Sequence, residues 1–314
     1  VTDIKVFRKD LMISTMGRAF WILDNIAPLH QLVEARKANT YLYKPLDTYR
    51  YRFTGTGKSE MVYYPAPSVI IDYYVATKPV NDVKVEILSG NKVIRTFTSV
   101  VPPKDTVQYG EKNMATGFVR RDVKADLEKK AGAHRFRWDM LHEGPWDKNP
   151  ARNKKGGPMA SPGTYEVRLT VDGQSQTRSF QILADPRLAG KVKPEDTMAQ
   201  EQLALQIVEL EDSCKHVVDQ IKGQRKKLTQ LIKENKASDS QKALEKQLSL
   251  LEDELIMKEG HYQKPMLIDQ LNYLRQMLDQ ADQRPGKDAY DRYDELKLLA
   301  EKILASYQNL KEKI

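Results

Sequence analysis

Five histidines, one cysteine and a scatter of carboxylates are the raw material for chemistry in this chain. His30, His134, His142, His216 and His261 lie far apart, and no two stand four residues apart. A helical His-x-x-x-His metal pair is therefore excluded, and the lone Cys214 supports neither a disulfide framework nor a cysteine-based metal cage. Asp139 and Glu143 flank the turn "WDMLHEGPW". Two carboxylates are what a glycosidase uses as acid and base, but sequence spacing fixes no separation of the kind that mechanism demands. Acidic residues at strand ends more often accept hydrogen bonds from nearby backbone amides. No serine sits in a Gly-x-Ser-x-Gly elbow.

Other strings imitate a site. "GTGKS" at 55–59 has the end of a phosphate-binding loop, but Arg52 stands where the first glycine belongs, and an extended, proline-broken segment follows instead of a helix. "TYLYKPLDTYRYRF" interleaves Tyr41, Tyr43, Tyr49 and Tyr51 with Lys44, Arg50 and Arg52. Such a surface could stack sugars or bases, but a strand with tyrosines on one face and arginines on the other writes the same string. The stretch 142–163 is a polar loop with four prolines and four glycines. Its His142, Trp146, Asp147 and Arg152 form the one candidate interaction loop, with Trp146 as its anchor. No catalytic, cofactor or metal residue is assigned.

These residues must be held by elements, and the chain of 314 residues is long enough for two or three domains. With 40% hydrophobic and 30% charged residues it has an ordinary composition. No apolar run reaches the roughly 18 residues of a membrane span. The net charge of +8 comes from 51 basic and 43 acidic residues, interspersed as on solvated faces, so nucleic acid is not an expected partner. The opening Val1, in place of Met, fits a mature or cleaved piece.

Three periodicities follow one another. Residues 1–40 hold three short strand signals, "VTDIKVF", "DLMIST" and "AFWILD", the pattern of a small meander that needs a partner sheet. Residues 41–190 alternate as a β-sandwich: "SVIIDYYVAT", a hairpin in "DVKVEILSGNKVIRTF", "AHRFRWDM" with Phe136 and Trp138 opposite Arg135 and Arg137, and a hairpin turning at Asp172-Gly173. Trp138 is expected in the core. Residues 191–314 step at helical spacing, from Leu203, Ile207, Leu210, Cys214, Val217 and Ile221 to Leu310. Breaks at 235–240, 260–265 and 284–286 divide them into four helices of an antiparallel bundle, the first about 35 residues long.

"VTDIKVFRKDLMISTMGRAFWILDNIAPL" resembles the closing strands of bacterial β-propeller proteins with BNR/sortilin-like repeats, often labelled glycosyl hydrolases. "AGAHRFRWDM" and "GTYEVRLTVDG" resemble that family's C-terminal immunoglobulin-like, FlgD-type module, and the match runs over nearly the whole chain. The Ser-x-Asp-x-Gly-x-Thr-Trp Asp-box of the repeats is absent, and Ala19 replaces the second glycine of the usual Gly-Arg-Gly.

The resemblance implies an α+β multidomain chain: terminal β-propeller strands (1–40), an immunoglobulin-like β-sandwich (41–190) and a C-terminal antiparallel helical bundle (191–314). It implies an extracytoplasmic, non-catalytic scaffold or interaction region. The expected partners are the upstream propeller portion, in the same protein or a co-purifying chain, and a cell-envelope protein or glycan. The alternative is one part of a sialidase-like glycoside hydrolase whose active site lies upstream of Val1.

Overall fold

In the computed structural model, residues 1–52, 66–101, 124–148, 156–257 and 264–312 are described. The "GTGKS" string at 55–59 and Arg152 lie outside them. The chain is mixed α and β, and among the described residues its sheets close into neither a barrel nor a propeller. It divides into two compact units. The described residues of Val1–Lys104, Val119–Leu141 and Ser161–Ala189 form one, and those of His142–Ala160 and Gly190–Ile314 form the other.

The first unit begins with an antiparallel meander of β1 (Asp3–Phe7), β2 (Asp10–Ser14) and β3 (Phe20–Leu23). The β2–β3 turn puts Gly17 at φ +85° and Ala19 at φ +58°. Short helices α1 (Ala27–His30) and α2 (Leu32–Ala35) follow. The rest of the unit is two sheets. β4 (Thr40–Leu42), β6 (Val69–Val75) and β9 (Gly132–Trp138) form one, in the order β4-β6-β9. β5 (Thr48–Tyr49), β7 (Lys84–Ser89), β8 (Lys92–Thr98), β12 (Gly163–Val171) and β13 (Gln174–Leu183) form the other, in the order β5-β13-β12-β7-β8.

Alternation on β9 sends Phe136 and Trp138 inward, where Phe136 meets Phe97 and the fully buried Trp138 meets Tyr165 and Phe180. The β12–β13 hairpin turns on Asp172 and Gly173, both at positive φ, the pairing that a tight hairpin demands. The tyrosine-rich string is not one strand. Pro45 lies between β4 and β5, and Arg50 is buried instead of sharing an exposed basic face.

In the second unit, α3 (Pro194–Lys233), α4 (Asp239–Leu255), α5 (Leu267–Leu278) and α6 (Lys287–Lys311) share a leucine-rich core. α3 has 40 residues, about 60 Å at 1.5 Å per residue. Pro194 opens α3, and Ser238 and Gln241 form a reciprocal capping box at the start of α4. The buried stripe of α3 takes Glu211 and Val218 where the spacing predicts Leu210 and Val217, which are only half-buried. The Glu211 carboxylate is met by Lys215 at 2.8 Å and faces Arg275 at 3.7 Å.

The 142–163 stretch is not wholly loop. β10 (Leu141–Glu143) pairs with β11 (Gly156–Met159). "GGPM" hides a strand because glycine and proline are poor strand formers. Gly157 is required there: a Cβ would lie 2.2 Å from the Glu143 carbonyl oxygen.

Candidate interaction surface

Strand pairing determines what the meander shows to its surroundings. Ile4 pairs with Ile13 and Ile13 with Trp21; Val6 pairs with Leu11 and Leu11 with Leu23. Paired residues share a face and alternate ones return to it. One face of the sheet is therefore Ile4, Val6, Leu11, Ile13, Trp21 and Leu23, without a polar side chain. The opposite face carries Asp3, Lys5, Phe7, Asp10, Met12, Ser14, Phe20 and Ile22. Both are open: Ile4 is 60% and Trp21 62% exposed on the first, Phe20 83% and Ile22 66% on the second. A three-stranded sheet with two bare faces buries too little to justify six aligned apolar side chains.

This open sheet is nevertheless firmly held at its exit. β9 alternation points Arg135 outward beside its cross-strand partner Asp72 on β6. The Arg135 guanidinium grips Asp72 with Nε at 2.8 Å and Nη2 at 3.1 Å. It also donates to Asp24 Oδ1 at 2.8 Å and to the backbone oxygens of Asp24 and Asn25 at 3.1 and 3.3 Å. Arg137 takes the other Asp24 oxygen at 2.6 Å. Asn25, at φ +53°, is buried, and its amide donates to Asp72 at 3.4 Å.

Burial raises the Asp24 pKa, but the hydrogen bond from Arg137 and the charges of both arginines outweigh it, leaving the carboxyl below its ordinary value. The planar guanidinium fork serves two carboxylates and two carbonyls at once, which an ammonium cannot do. Sequence reasoning placed Arg135 and Arg137 together on the polar face of their strand. It could not supply the partners, which lie 63 and more residues away.

The predicted interaction loop belongs to the second unit. His142 is buried, with Nε2 2.5 Å from Glu201 Oε1 on α3. The Trp146 ring stacks on His216 at 4.0 Å, and its backbone N–H donates to Asp212. Lys148 reaches Asp219 at 2.5 Å. Residues 201, 212, 216 and 219 lie on one face of α3, since steps of eleven, four and three are near-whole turns. Asp147 is half-buried in this strap. These contacts hold His142, Trp146 and Lys148 against α3 inside the unit.

Asp139 accepts from the Leu141 backbone N–H at 3.1 Å, the local role expected of a strand-end carboxylate. Among the described residues no group of three or more His, Cys, Asp or Glu is placed to hold a metal. Burial and the neighbouring Glu211 push the Cys214 thiol up to about 12, far from a reactive thiolate. A cavity of about 800 Å³ opens between α5 and the start of α6, beside Tyr273, Met277, Pro285 and Arg292. Its Arg292 is engaged by Glu295 at 2.7 Å and by Gln270 at 2.5 Å.

No protein-family model matches the chain, and no curated protein matches it. No helix among the described residues is long and apolar enough to cross a membrane.

Proposed function

We propose that this chain is a non-catalytic scaffold and interaction region of an exported bacterial β-propeller protein of the BNR/sortilin-like kind. In this reading β1–β3 are terminal blade strands, the two facing sheets an immunoglobulin-like module, and the four helices a bundle available to a cell-envelope protein or glycan. The observation that carries the proposal is the β1–β3 sheet with both faces bare.

The geometry of covering it narrows the partner. Three strands about 4.8 Å apart and about 17 Å long offer roughly 250 Å² of projected area per face. A stable interface buries about 800 Å² of accessible surface per partner, and either face alone supplies only half of what the two faces offer together. Sheets stacked about 10 Å away on each side bury both faces together, and that is how a blade is packed among its neighbours. The Arg135–Asp24–Asp72 clamp supports the same reading, because it fixes the meander's exit on the module behind it. A sheet that is to enter a stack needs a defined orientation.

The test is native purification of the chain from its own cells, with identification of any stoichiometric companion and a glycan-hydrolysis panel on the chain alone. A companion polypeptide, or a continuous longer chain, carrying further blade-like four-stranded repeats is expected, with no turnover by this chain. A soluble monomer that binds neither such sheets nor any envelope component would overturn the proposal. So would glycan turnover that survives in this chain by itself.

A further inference from the structure

The surplus of positive charge is not evenly spread. Residues 222–246 comprise the end of α3, the start of α4 and the turn between them. They hold eight basic and three acidic residues, a net +5 out of the chain's +8. Arg225 is consumed within the hairpin: its Nη1 bonds Glu252 at 2.7 Å, and its Nη2 and Nε bond Glu245 at 2.9 and 3.0 Å. Lys236 meets Glu234 at 2.8 Å, and Lys242 meets Asp239 at 3.1 Å. Lys226, Lys227, Lys233 and Lys246 are exposed, and no described carboxylate is paired with any of them.

The Arg225 bonds show which sides α3 and α4 turn toward each other. An α-helix turns about 100° per residue, so Lys222, Lys226 and Lys233 lie about 60–100° round α3 from Arg225. Lys242 and Lys246 lie about 60–100° round α4 from Glu245, in the same sense. The two helices are antiparallel across a short turn, and equal rotations in one sense then bring both sets to one side of the hairpin. Five lysines share that side, over about 16 Å of α3. Within residues 222–255 the same side carries two carboxylates: Asp239, engaged by Lys242, and Asp253, past Glu252 at the far end.

We infer that this side of the α3–α4 hairpin docks on an anionic phospholipid surface. The composition selects that partner. Each cation left unengaged here is a lysine, a point charge that suits a diffuse plane of headgroups, whereas specific recognition of bases or phosphates favours the arginine fork. Residues 222–255 contain no aromatic side chain on which a base or a sugar could stack. No large apolar side chain is exposed between 222 and 246, so the hairpin rests on headgroups without entering the acyl region. The inference goes beyond the proposed function and does not depend on it, because it uses the helices alone.

The test is sedimentation of the whole chain with phosphatidylcholine vesicles, prepared with and without phosphatidylglycerol. The expected result is binding to the anionic vesicles alone at about 0.1 M salt, lost at about 1 M, where screening shortens from about 10 Å to about 3 Å. Lys226→Gln, Lys233→Gln, Lys242→Gln and Lys246→Gln together should weaken binding about a hundredfold or more, at about fivefold per lysine. Arginine at the same four positions should retain it. Lys37→Gln, Lys78→Gln, Lys92→Gln and Lys191→Gln together, all exposed and outside the hairpin, should change it less than about threefold.

Absence of binding, equal binding to both kinds of vesicle, or an equal loss in the control variant would overturn the inference. So would binding that survives the glutamines or disappears with the arginines. Tighter binding to a DNA duplex than to anionic vesicles at the same salt would also overturn it, assigning the lysines to nucleic acid. None of these results bears on whether a blade-carrying companion co-purifies, so the two proposals can fail separately.

Discussion

Ala19 has an L side chain in the left-handed region, at φ +58°. That conformation costs about 1–2 kcal/mol for a non-glycine residue, while glycine in its place loses about 0.5–1 kcal/mol of chain entropy. Ala19→Gly is expected to stabilise the meander turn by about 0.5–1 kcal/mol, read as protection of residues 10–24 from hydrogen exchange. Cys214, buried with its thiol pushed to about 12, is expected to resist alkylation at neutral pH in the folded protein and to react once denaturant unfolds the helices.

Arg135 is the residue whose loss should matter most to the clamp at the meander's exit. Arg135→Ala leaves the buried Asp72 carboxylate without its bidentate partner and should cost about 2–4 kcal/mol. Arg135→Lys should recover only part, because an ammonium cannot span both carboxylates. Acid has a related effect. The Asp24 pKa is lowered in the folded state, so its contribution is complete above the ordinary carboxyl range, near 4, and disappears as pH falls through the folded value below that. The meander should therefore loosen below about pH 4, with proteolysis near Asn25 as the readout.

At the scale of elements, most of the pattern was legible in the chain. Alternation located the strands of both hairpins, and the helix breaks fell between α3, α4, α5 and α6. Two features, one strand and one buried helix position, were missed for definite reasons. β11 is written in Gly-Gly-Pro-Met, where close approach to the Glu143 carbonyl, not strand propensity, selects glycine. Gly157→Ala is expected to displace the β10–β11 pair and to lower stability by about 1–3 kcal/mol, the cost of an overpacked contact, read by urea denaturation. On α3 the buried stripe accepts Glu211 because Lys215 and Arg275 neutralise it, a compensation contributed in part by another helix and so invisible to periodicity. The candidate loop was legible only as composition. That Trp146 stacks on His216 depends on a helix 70 residues further on.

For the whole molecule, the decisive property is an imbalance of burial. The two facing sheets and the four helices each enclose a core, whereas the meander presents apolar side chains on both sides to solvent. Which of its side chains share a face could not be read from "AFWILD", where all four of the strand's residues are apolar. Pairing with β1 and β2 resolves it: Trp21 and Leu23 join the wholly apolar face, while Phe20 and Ile22 join the mixed one. The central claim is that both faces are covered in the working assembly. Hydroxyl-radical footprinting tests it most directly, by comparing oxidation of Trp21 and Phe20 in the isolated chain with that in the protein taken intact from its own cells. Strong protection of both residues in the intact material, against ready oxidation of both in the isolated chain, is the expected result. Equal oxidation of both residues in the two preparations, or protection of only one, would contradict it.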